Sequence, residues 1–486
     1  GFGGASVPHE IHEGDFTLTS TTNHKRTPTP TNPVNAAKDM NAIDEPGKWN
    51  AFENYVKQVM QENHIAGAAV AVSHGGEVVY AKGFGVKDIT KDDPVTPESI
   101  FGVASVSKSF TAMAISQLAD VGMISLDDPV TEHIPELAFH GGDMSTVKVR
   151  NILSHSTGLP PMTRREDIVK LSEHVDFLNG ETYELLGKPG EYYSYANDTF
   201  LLNGLIIERL TGQLYRRYMT HQILDSIGMS RSTYNLEELP KMGNVTVPYD
   251  FDRKEGVLEP KPWPTLGTYE VGGGVRSNVL DLMKYAQVYL NKGVAGNGKR
   301  IISEESVKAM CTPVVRTGRR SFYCLGLQTT PEYNGITLME HGGGQPGVSS
   351  NFGFVPEKGI AAAVLTNVGG VPAGAIWLAA INVALGLPMD EKRSVETEWT
   401  DVPEGYMDRF AGTYQCNEGG KITIEVDGTA AIIHNMEQEF ALKIADETTM
   451  FYEAMGQQMV VKFFFRKGSD RPWAALAGSR MLRRFS

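Results

Sequence analysis

The sequence predicts an α+β protein, with an antiparallel sheet flanked by helices, followed by a small all-β barrel-like domain. Two observations carry this prediction. Apolar strand patterns occur near both ends of the first 387 residues, with helical patterns between them. After a polar stretch, short strand patterns separated by turns fill the last ~80 residues.

Composition divides the chain into four parts. Residues 1–44 are polar and rich in Thr and Pro, which predicts an extended arm. Residues 45–387 hold the mixed helix and strand patterns and are predicted to form the main domain. Residues 388–404 are charged and predict a linker, and 405–486 predict the all-β domain.

The spacing of apolar residues predicts the elements of the main domain. Strands are predicted over 66–72, 78–84, 336–341 and 359–366. Helices are predicted over 44–61, 105–121, 165–187, 199–210, 214–226, 278–291 and 373–387. We expect the early hairpin and the late strands to share one antiparallel sheet, with the central helices inserted between them.

Charge and cysteine content exclude several classes of protein. The net charge of −13 argues against a nucleic-acid partner and against binding to an anionic membrane surface. No apolar run is long enough to span a bilayer. The three cysteines lack metal-ligand spacing, so no metal site and no cofactor are predicted. No export signal is visible after Gly1, which leaves the compartment open, whether secreted, periplasmic or cytoplasmic.

The central candidate site is Ser105–Lys108, at the start of a predicted helix. These two residues are three apart, so their side chains lie on one face of the first turn. Backbone N–H groups at this turn have no partner inside the helix, and they attract negative charge. A serine here has an amine near enough to take its proton and a backbone donor for an oxyanion.

Alone, an S-x-x-K motif is weak evidence, because a capping serine followed by a solvated lysine is the favoured interpretation of that motif by itself. The motif also occurs at Ser145–Lys148, where Val147 and Val149 predict an extended segment. Residues three apart on a strand point to opposite faces. The second match is therefore not expected to bring an amine to a hydroxyl.

Two further motifs follow along the chain. Tyr195-Ala-Asn197 lies in a Pro-Gly loop before a helix, and His341-Gly-Gly-Gly344 ends a late strand. With Ser105–Lys108 they resemble the S-x-x-K, Y-x-N and K-T-G or H-x-G motifs of the serine β-lactamase and penicillin-binding-protein superfamily. The resemblance covers about 45–387 and points to class C β-lactamase-related hydrolases, a branch with esterases, D-amino-acid peptidases and acyltransferases.

This resemblance implies a β-lactamase-like fold and a role for each motif residue. Ser105 would be the nucleophile. Lys108 and Tyr195 are both candidate bases, and the sequence leaves open which one takes the proton. Asn197 would hold the substrate amide and orient Lys108. The N–H groups of Ser105 and Gly344 would form the oxyanion hole.

His341 stands where β-lactamases carry a lysine, and we count it among the catalytic residues. A histidine is only partly charged near neutral pH, and Gly342 lacks the hydroxyl of K-T-G. Recognition of a penicillin-like carboxylate and efficient β-lactam hydrolysis are therefore not expected. His155 is interpreted as a structural loop histidine. The candidate substrate-binding residues are Tyr193, Trp263, Tyr269 and Gly343, although core packing explains the aromatic three equally well.

The favoured function is a serine hydrolase of amides or esters, with a peptidase, including one for D-residue-containing peptides, ahead of an esterase. Met407–Tyr414 resembles the opening of the lipocalin-like domains that follow such catalytic domains. An acyltransferase or amide synthase using the same acyl-enzyme is the first alternative, and a non-catalytic sensor or binding protein is the second. The expected partner is a small-molecule or peptide substrate, and a homo-oligomer is left open.

Overall fold

The structure is a computed structural model that describes residues 47–485. The predicted arm, 1–44, lies outside the described residues. Within 47–485, no helix combines the length and the apolar character needed to cross a bilayer. All three cysteines are free thiols.

In the main domain, called the main body from here on, strands lie near both ends and most of the helices lie between them, as predicted. The strands are β1 Gly67–His74, β2 Glu77–Gly85, β3 Phe101–Gly102, β4 Tyr249–Asp252, β5 Val257–Pro260, β6 Arg276–Ser277, β7 Val315–Arg316, β8 Phe322–Tyr323, β9 Gln328–Tyr333, β10 Ile336–Gln345, β11 Val348–Val355 and β12 Ile360–Thr366. The α-helices are Asn50–Glu62, Ser107–Asp120, Val130–His133, Val149–Leu153, Leu171–Asn179, Asn197–Phe200, Leu202–Thr211, Tyr215–Met219, Leu239–Met242, Glu270–Gly273, Val279–Leu290, Glu304–Met310 and Ala373–Leu385.

One antiparallel sheet organises this body, with strand order β2-β1-β12-β11-β10-β9-β8-β7. Alternate residues of β1 face opposite sides. One side of the sheet is covered by the helices Asn50–Glu62 and Ala373–Leu385, and the other by a larger helical layer around Ser107–Asp120. The predicted α+β fold is thus confirmed, including the sharing of one sheet by the early hairpin and the late strands.

The sequence missed β11 and the edge strands β7, β8 and β9, and it misplaced two other segments. β11 carries Ser, Asn and Gly and is buried along its whole length, so it lacks the polar–apolar alternation of a half-exposed strand. The helix predicted over 165–187 is limited to Leu171–Asn179.

The extended segment predicted around Ser145–Lys148 is limited to Val147 and Lys148, which have extended backbone. Met144–Thr146 is a 3₁₀ turn, and a helix begins at Val149. Local side-chain hydrogen bonds decide this, because the Asp143 carboxylate accepts the N–H of Ser145 at 2.8 Å and the Asn151 amide oxygen accepts that of Lys148 at 2.9 Å. Ser145 and Lys148 are nevertheless both exposed, so this second motif forms no enclosed site.

The C-terminal unit is a closed eight-stranded barrel. Its strands are β13 Gly412–Gln415, β14 Lys421–Asp427, β15 Ala430–Asn435, β16 Gln438–Asp446, β17 Thr449–Ala454, β18 Gln457–Phe465, β19 Pro472–Ala477 and β20 Arg480–Arg484. The barrel-like domain is confirmed. The first and last strands, which close it through Tyr414 and Arg484, were not predicted.

Several contacts join the barrel and the segment before it to the main body. The segment 388–404 carries Arg393, which pairs with the buried Glu340 of β10. The hairpin between β19 and β20 meets the predicted Pro-Gly loop: the N–H of Tyr195 donates to the Ser479 carbonyl at 2.8 Å, and the N–H of Met481 donates to Ser194 Oγ at 3.0 Å. The barrel therefore touches the loop that carries a predicted catalytic tyrosine.

Candidate active site

Ser105 lies at the entrance to the helix Ser107–Asp120, in a 3₁₀ turn that follows β3. The residue before it, Ala104, has φ +48°, a left-handed conformation that costs a non-glycine residue about 1 kcal/mol or more. This bend sets the half-buried Ser105 at the first turn, where backbone N–H groups point away from the helix.

Lys108 reaches back to this serine from one turn later. Its Nζ lies 3.1 Å from Ser105 Oγ and donates to the Gly272 carbonyl at 3.1 Å. The side chain is 1% exposed. Burial holds the pKa of Lys108 well below its usual range, and the nearby Arg480 and Arg164 lower it further. Lys108 is thus biased toward the neutral amine that can accept a proton.

Tyr195 and Asn197 complete one wall of the site. Lys108 Nζ stands 4.8 Å from the centre of the Tyr195 ring. Burial raises the pKa of Tyr195, and this effect outweighs the lowering by its interactions with Ser105 and Arg480. A Cβ on Gly272 would lie 2.9 Å from Lys108 Nζ and 3.8 Å from Asn197 Oδ1. Glycine at 272 thus leaves room for the lysine beside Asn197.

The H-G-G-G motif forms the opposite wall, at the end of β10. Pairing of β10 with β11 runs to Gln345, whereas pairing with β9 stops at Glu340. The edge of 341–345 that faces away from β11 is therefore unpaired by any neighbouring strand. A Cβ on Gly343 would lie 2.4 Å from the Val103 carbonyl, so glycine there lets β10 pack against the segment before Ser105.

His341 belongs to a buried hydrogen-bond chain with Tyr323 and His155. His155 Nδ1 accepts the N–H of Ala196 at 3.0 Å, so a neutral His155 carries its proton on Nε2, 3.2 Å from the Tyr323 hydroxyl. Tyr323 then donates to His341 Nε2 at 2.7 Å, and His341 Nδ1 donates to the Gly342 carbonyl at 2.5 Å. In this hydrogen-bond chain, the positions of the protons on His155, Tyr323 and His341 are each set by a single hydrogen-bond partner.

This hydrogen-bond chain changes the role expected for His341, which was counted among the catalytic residues. Both of its ring nitrogens are occupied, and the residue is 2% exposed. Burial lowers its pKa to about 3, with Lys108 adding to the effect, so His341 is neutral at physiological pH. It is placed to position β10 rather than to bind a substrate carboxylate, as the lysine of K-T-G would.

The comparisons with known proteins agree with the fold. The beta-lactamase family model matches residues 52–385. The chain belongs to the beta-lactamase family. Among solved structures, an octameric penicillin-binding protein homologue from Pyrococcus abyssi is 28% identical, with a TM-score of 0.66 over 89% of this chain and 99% of that one.

Further proteins are similar to this chain at lower identity. SurE is 19% identical with a TM-score of 0.70, covering 91% of this chain and all of that one. A class C beta-lactamase is 22% identical with a TM-score of 0.61, covering 71% and 98%. Penicillin-binding protein 4* of Bacillus subtilis is 26% identical over 80% of this chain and 86% of its own.

One relative shares only a part of its length with this chain. Protein flp of Staphylococcus aureus is 31% identical over 189 residues, which is 38% of this chain and 38% of that protein. The matched region therefore covers well under half the length of protein flp.

The predicted substrate-binding aromatics lie in different surroundings. Tyr193 is buried against Tyr323 and the barrel, in an apolar cluster with Leu476 and Met481. Tyr269 is buried and donates to Asp198 Oδ1 at 2.7 Å. Trp263 is half-buried, and its ring would lie 3.5 Å from a Cβ on Gly102 of β3. Packing alone explains the positions of Tyr193 and Tyr269.

Several site residues were missed by sequence reasoning. Tyr323 and Arg480 lie on short strands with no recognisable motif, and only folding brings them to Tyr195. His155 was interpreted as structural; its ring lies 4.1 Å from that of Tyr195. Its place in a Ser-His-Ser-Thr-Gly segment of the region that resembles the family is a signal that could have been used.

Within the described residues, one trio of side chains has the spacing of metal ligands: Asp128, Glu132 and His133. None of them belongs to the site around Ser105, and His133 Nε2 is already paired with Asp128 at 2.9 Å.

Neutral His341 makes stability depend on pH. Its folded pKa of about 3 lies below the ordinary value of about 6.5, so the unfolded chain binds more protons between these values. We expect stability to fall as pH drops from 6.5 toward 3, this residue contributing at most about 1.4 kcal/mol per pH unit. Melting temperatures across this range should depend less on pH in His341→Asn, whereas the exposed His74→Asn should match wild type. Equal slopes in all three proteins would contradict this assignment.

Proposed function

We propose that this protein is a serine hydrolase that cleaves amide or ester bonds through an acyl-enzyme on Ser105. The observation that carries the proposal is the buried lysine, whose Nζ lies 3.1 Å from the Ser105 hydroxyl and whose pKa is held low. A serine hydroxyl is a weak nucleophile until a neighbouring base takes its proton. Lys108 suits this role as the base, because it lies next to Ser105 and its lowered pKa favours the neutral amine.

Acylation then follows from the positions of these groups. As Ser105 Oγ attacks the substrate carbonyl, its proton passes to the neutral Lys108 amine. The carbonyl oxygen becomes an oxyanion beside the N–H groups of Ser105 and Gly344, where each donor contributes about 3 kcal/mol. Collapse of the tetrahedral intermediate breaks the bond to the leaving group, which must gain a proton as it departs.

Tyr195 suits the proton donor better than the base. Burial raises its pKa, so it keeps its proton near neutral pH. Beside Ser105 and Lys108, the phenol can pass a proton to the leaving group and be reprotonated from the Lys108 ammonium. In the second half of the reaction, water attacks the acyl carbonyl and passes one proton to Lys108. The ester bond to Ser105 Oγ then breaks, the acid product leaves, and Ser105 Oγ regains its proton, with Asn197 holding the substrate amide.

We infer the substrate class from the side chains of β10 that form one wall of the site. With a neutral, hydrogen-bonded His341 in place of lysine, this strand offers no cation for the carboxylate of a penicillin. We therefore propose peptides, including those with D-residues, or simple esters ahead of β-lactams. Assembly into a homo-oligomer is also a proposal, supported by the octameric homologue from Pyrococcus abyssi.

A panel of matched substrates tests this function. D- and L-peptide amides, simple esters and a chromogenic β-lactam should be compared by kcat/KM. We expect turnover of at least one amide or ester series, and at most slow β-lactam turnover. An amine added as competing nucleophile distinguishes hydrolysis from acyl transfer, because a transferase releases the amide product. Folded protein that turns over none of these substrates would argue for the binding-protein alternative.

A further inference from the structure

A cavity of about 300 Å³ opens at the end of the barrel that meets the main body. Arg480 and Glu418 stand among its lining residues. Asn435 also lines it and donates to the hydroxyl of the neighbouring Tyr452 at 3.2 Å. Much of the remaining lining is apolar, with Ile422, Met459, Val461 and Leu482. The cavity thus combines the Arg480–Glu418 pair and the exposed Lys421 with an apolar wall.

Arg480 connects this cavity to the candidate active site. Its guanidinium carbon lies 4.7 Å from the centre of the Tyr195 ring, and its Nη2 pairs with Glu418 Oε1 at 3.0 Å. Lys108 Nζ is 4.8 Å from the same ring centre and 3.1 Å from Ser105 Oγ. Laid end to end, these distances put the guanidinium carbon no more than about 13 Å from Ser105 Oγ. About four residues of an extended peptide span that length.

We propose that the barrel end is a substrate-binding pocket, in which Arg480 binds a free carboxylate of the substrate and the cavity takes the apolar side chain next to it. This inference rests on the proposed function and adds the chemical class of its substrate: peptides or acylated amino acids that end in an apolar residue with a free carboxylate. The barrel is then a part of the active site.

The charges around the cavity favour a carboxylate over an ammonium. Arg164 lies with its guanidinium carbon 4.0 Å from the ring of Tyr269, and the residue before it, Thr163, donates to the Asn417 carbonyl at 3.1 Å beside Glu418. Two cations, Arg480 and the exposed Lys421, line the cavity against the single Glu418 carboxylate. Arg164 pairs with Glu166, and because both side chains are partly exposed, solvent screens both charges.

Arg480 also supplies the cation for a substrate carboxylate that β10 lacks. The planar guanidinium binds a carboxylate through two parallel hydrogen bonds, the arrangement that Arg480 already makes with Glu418 through Nε and Nη2. A substrate carboxylate can take the place of Glu418 in this pair. With His341 neutral, a cation from the barrel replaces the lysine that stands on the sheet in K-T-G proteins.

Matched substrates test this pocket. Two peptides with one scissile bond should end in leucine carboxylate or leucine carboxamide, and their kcat/KM ratio gives the carboxylate preference. We expect Arg480→Gln to reduce this ratio by about 10- to 100-fold, the worth of hydrogen bonds to a charged group. Arg471→Gln, an exposed barrel arginine, is the control and should keep the wild-type ratio. If Arg480→Gln slows both substrates equally, Arg480 acts only on Tyr195 and the proposal is overturned.

A second variant tests the apolar part of the cavity. Met459→Trp fills space beside the cavity without changing charge. It should reduce the preference for a terminal leucine over a terminal glycine, while an unchanged preference would place the side chain elsewhere. Labelling of wild-type Ser105 by a fluorophosphonate, measured alongside, distinguishes failure of the pocket proposal from failure of the proposed function. If Ser105 is labelled but the enzyme shows no carboxylate preference, only the pocket proposal is wrong. If Ser105 is not labelled, the proposed hydrolase function is wrong.

Discussion

Replacing Ser105 by alanine is expected to lower kcat/KM for the best amide or ester substrate by about ten-thousand-fold or more. The reason is that the covalent route disappears, while the oxyanion donors and substrate contacts remain. Because the side chain is half-buried and small, the fold should survive, and unchanged circular dichroism would verify this.

The matched control is Ser145→Ala, which removes the serine of the second S-x-x-K motif. That serine is exposed on a 3₁₀ turn, so its loss should leave activity within twofold of wild type. If Ser105→Ala kept more than a tenth of the wild-type rate, the nucleophile would have to be another residue.

Lys108→Met is expected to have two opposite effects. Activity should fall by about a thousand-fold, because the Ser105 proton loses its acceptor. Stability should rise by about 1 kcal/mol, because the Lys108 ammonium of the unfolded chain no longer has to give up its proton on burial. The exposed Lys148→Met should show neither change. An equal loss of activity and stability would mean that Lys108 is a packing residue.

The pH profile of wild type checks the same assignment. Since burial lowers the pKa of Lys108, the fraction of neutral amine grows as pH rises through that lowered value. We therefore expect a kcat/KM that increases with pH on its acidic limb, and a limb that is missing from the residual activity of Lys108→Met. A wild-type limb that persists in the variant would assign the titration to another group.

The order of three motifs was enough to predict the core of the site. Spacing put Ser105 and Lys108 on one helical face, and the structure sets their reacting atoms 3.1 Å apart. Spacing could not show that Lys108 is buried under Tyr195 and Phe200, which is what changes its proton affinity. Burial is a property of the assembled fold.

Contacts between distant segments account for what sequence reasoning missed. Tyr323 and His341 are close in the sheet because β8, β9 and β10 pair in succession, and β8 is only two residues long. Arg480 arrives from the other end of the chain on the β19–β20 hairpin. A two-residue strand and a hairpin tip leave no periodic pattern to detect. The fully buried β11 was missed for the same reason.

Intact-mass spectrometry after exposure to a fluorophosphonate tests the central claim most directly. Wild type, Ser105→Ala and Ser145→Ala should be treated side by side at neutral pH. A single adduct on wild type and Ser145→Ala, and none on Ser105→Ala, is the result expected if Lys108 activates Ser105. An adduct on Ser105→Ala, or none on folded wild type, would contradict the assignment of Ser105 as the activated nucleophile.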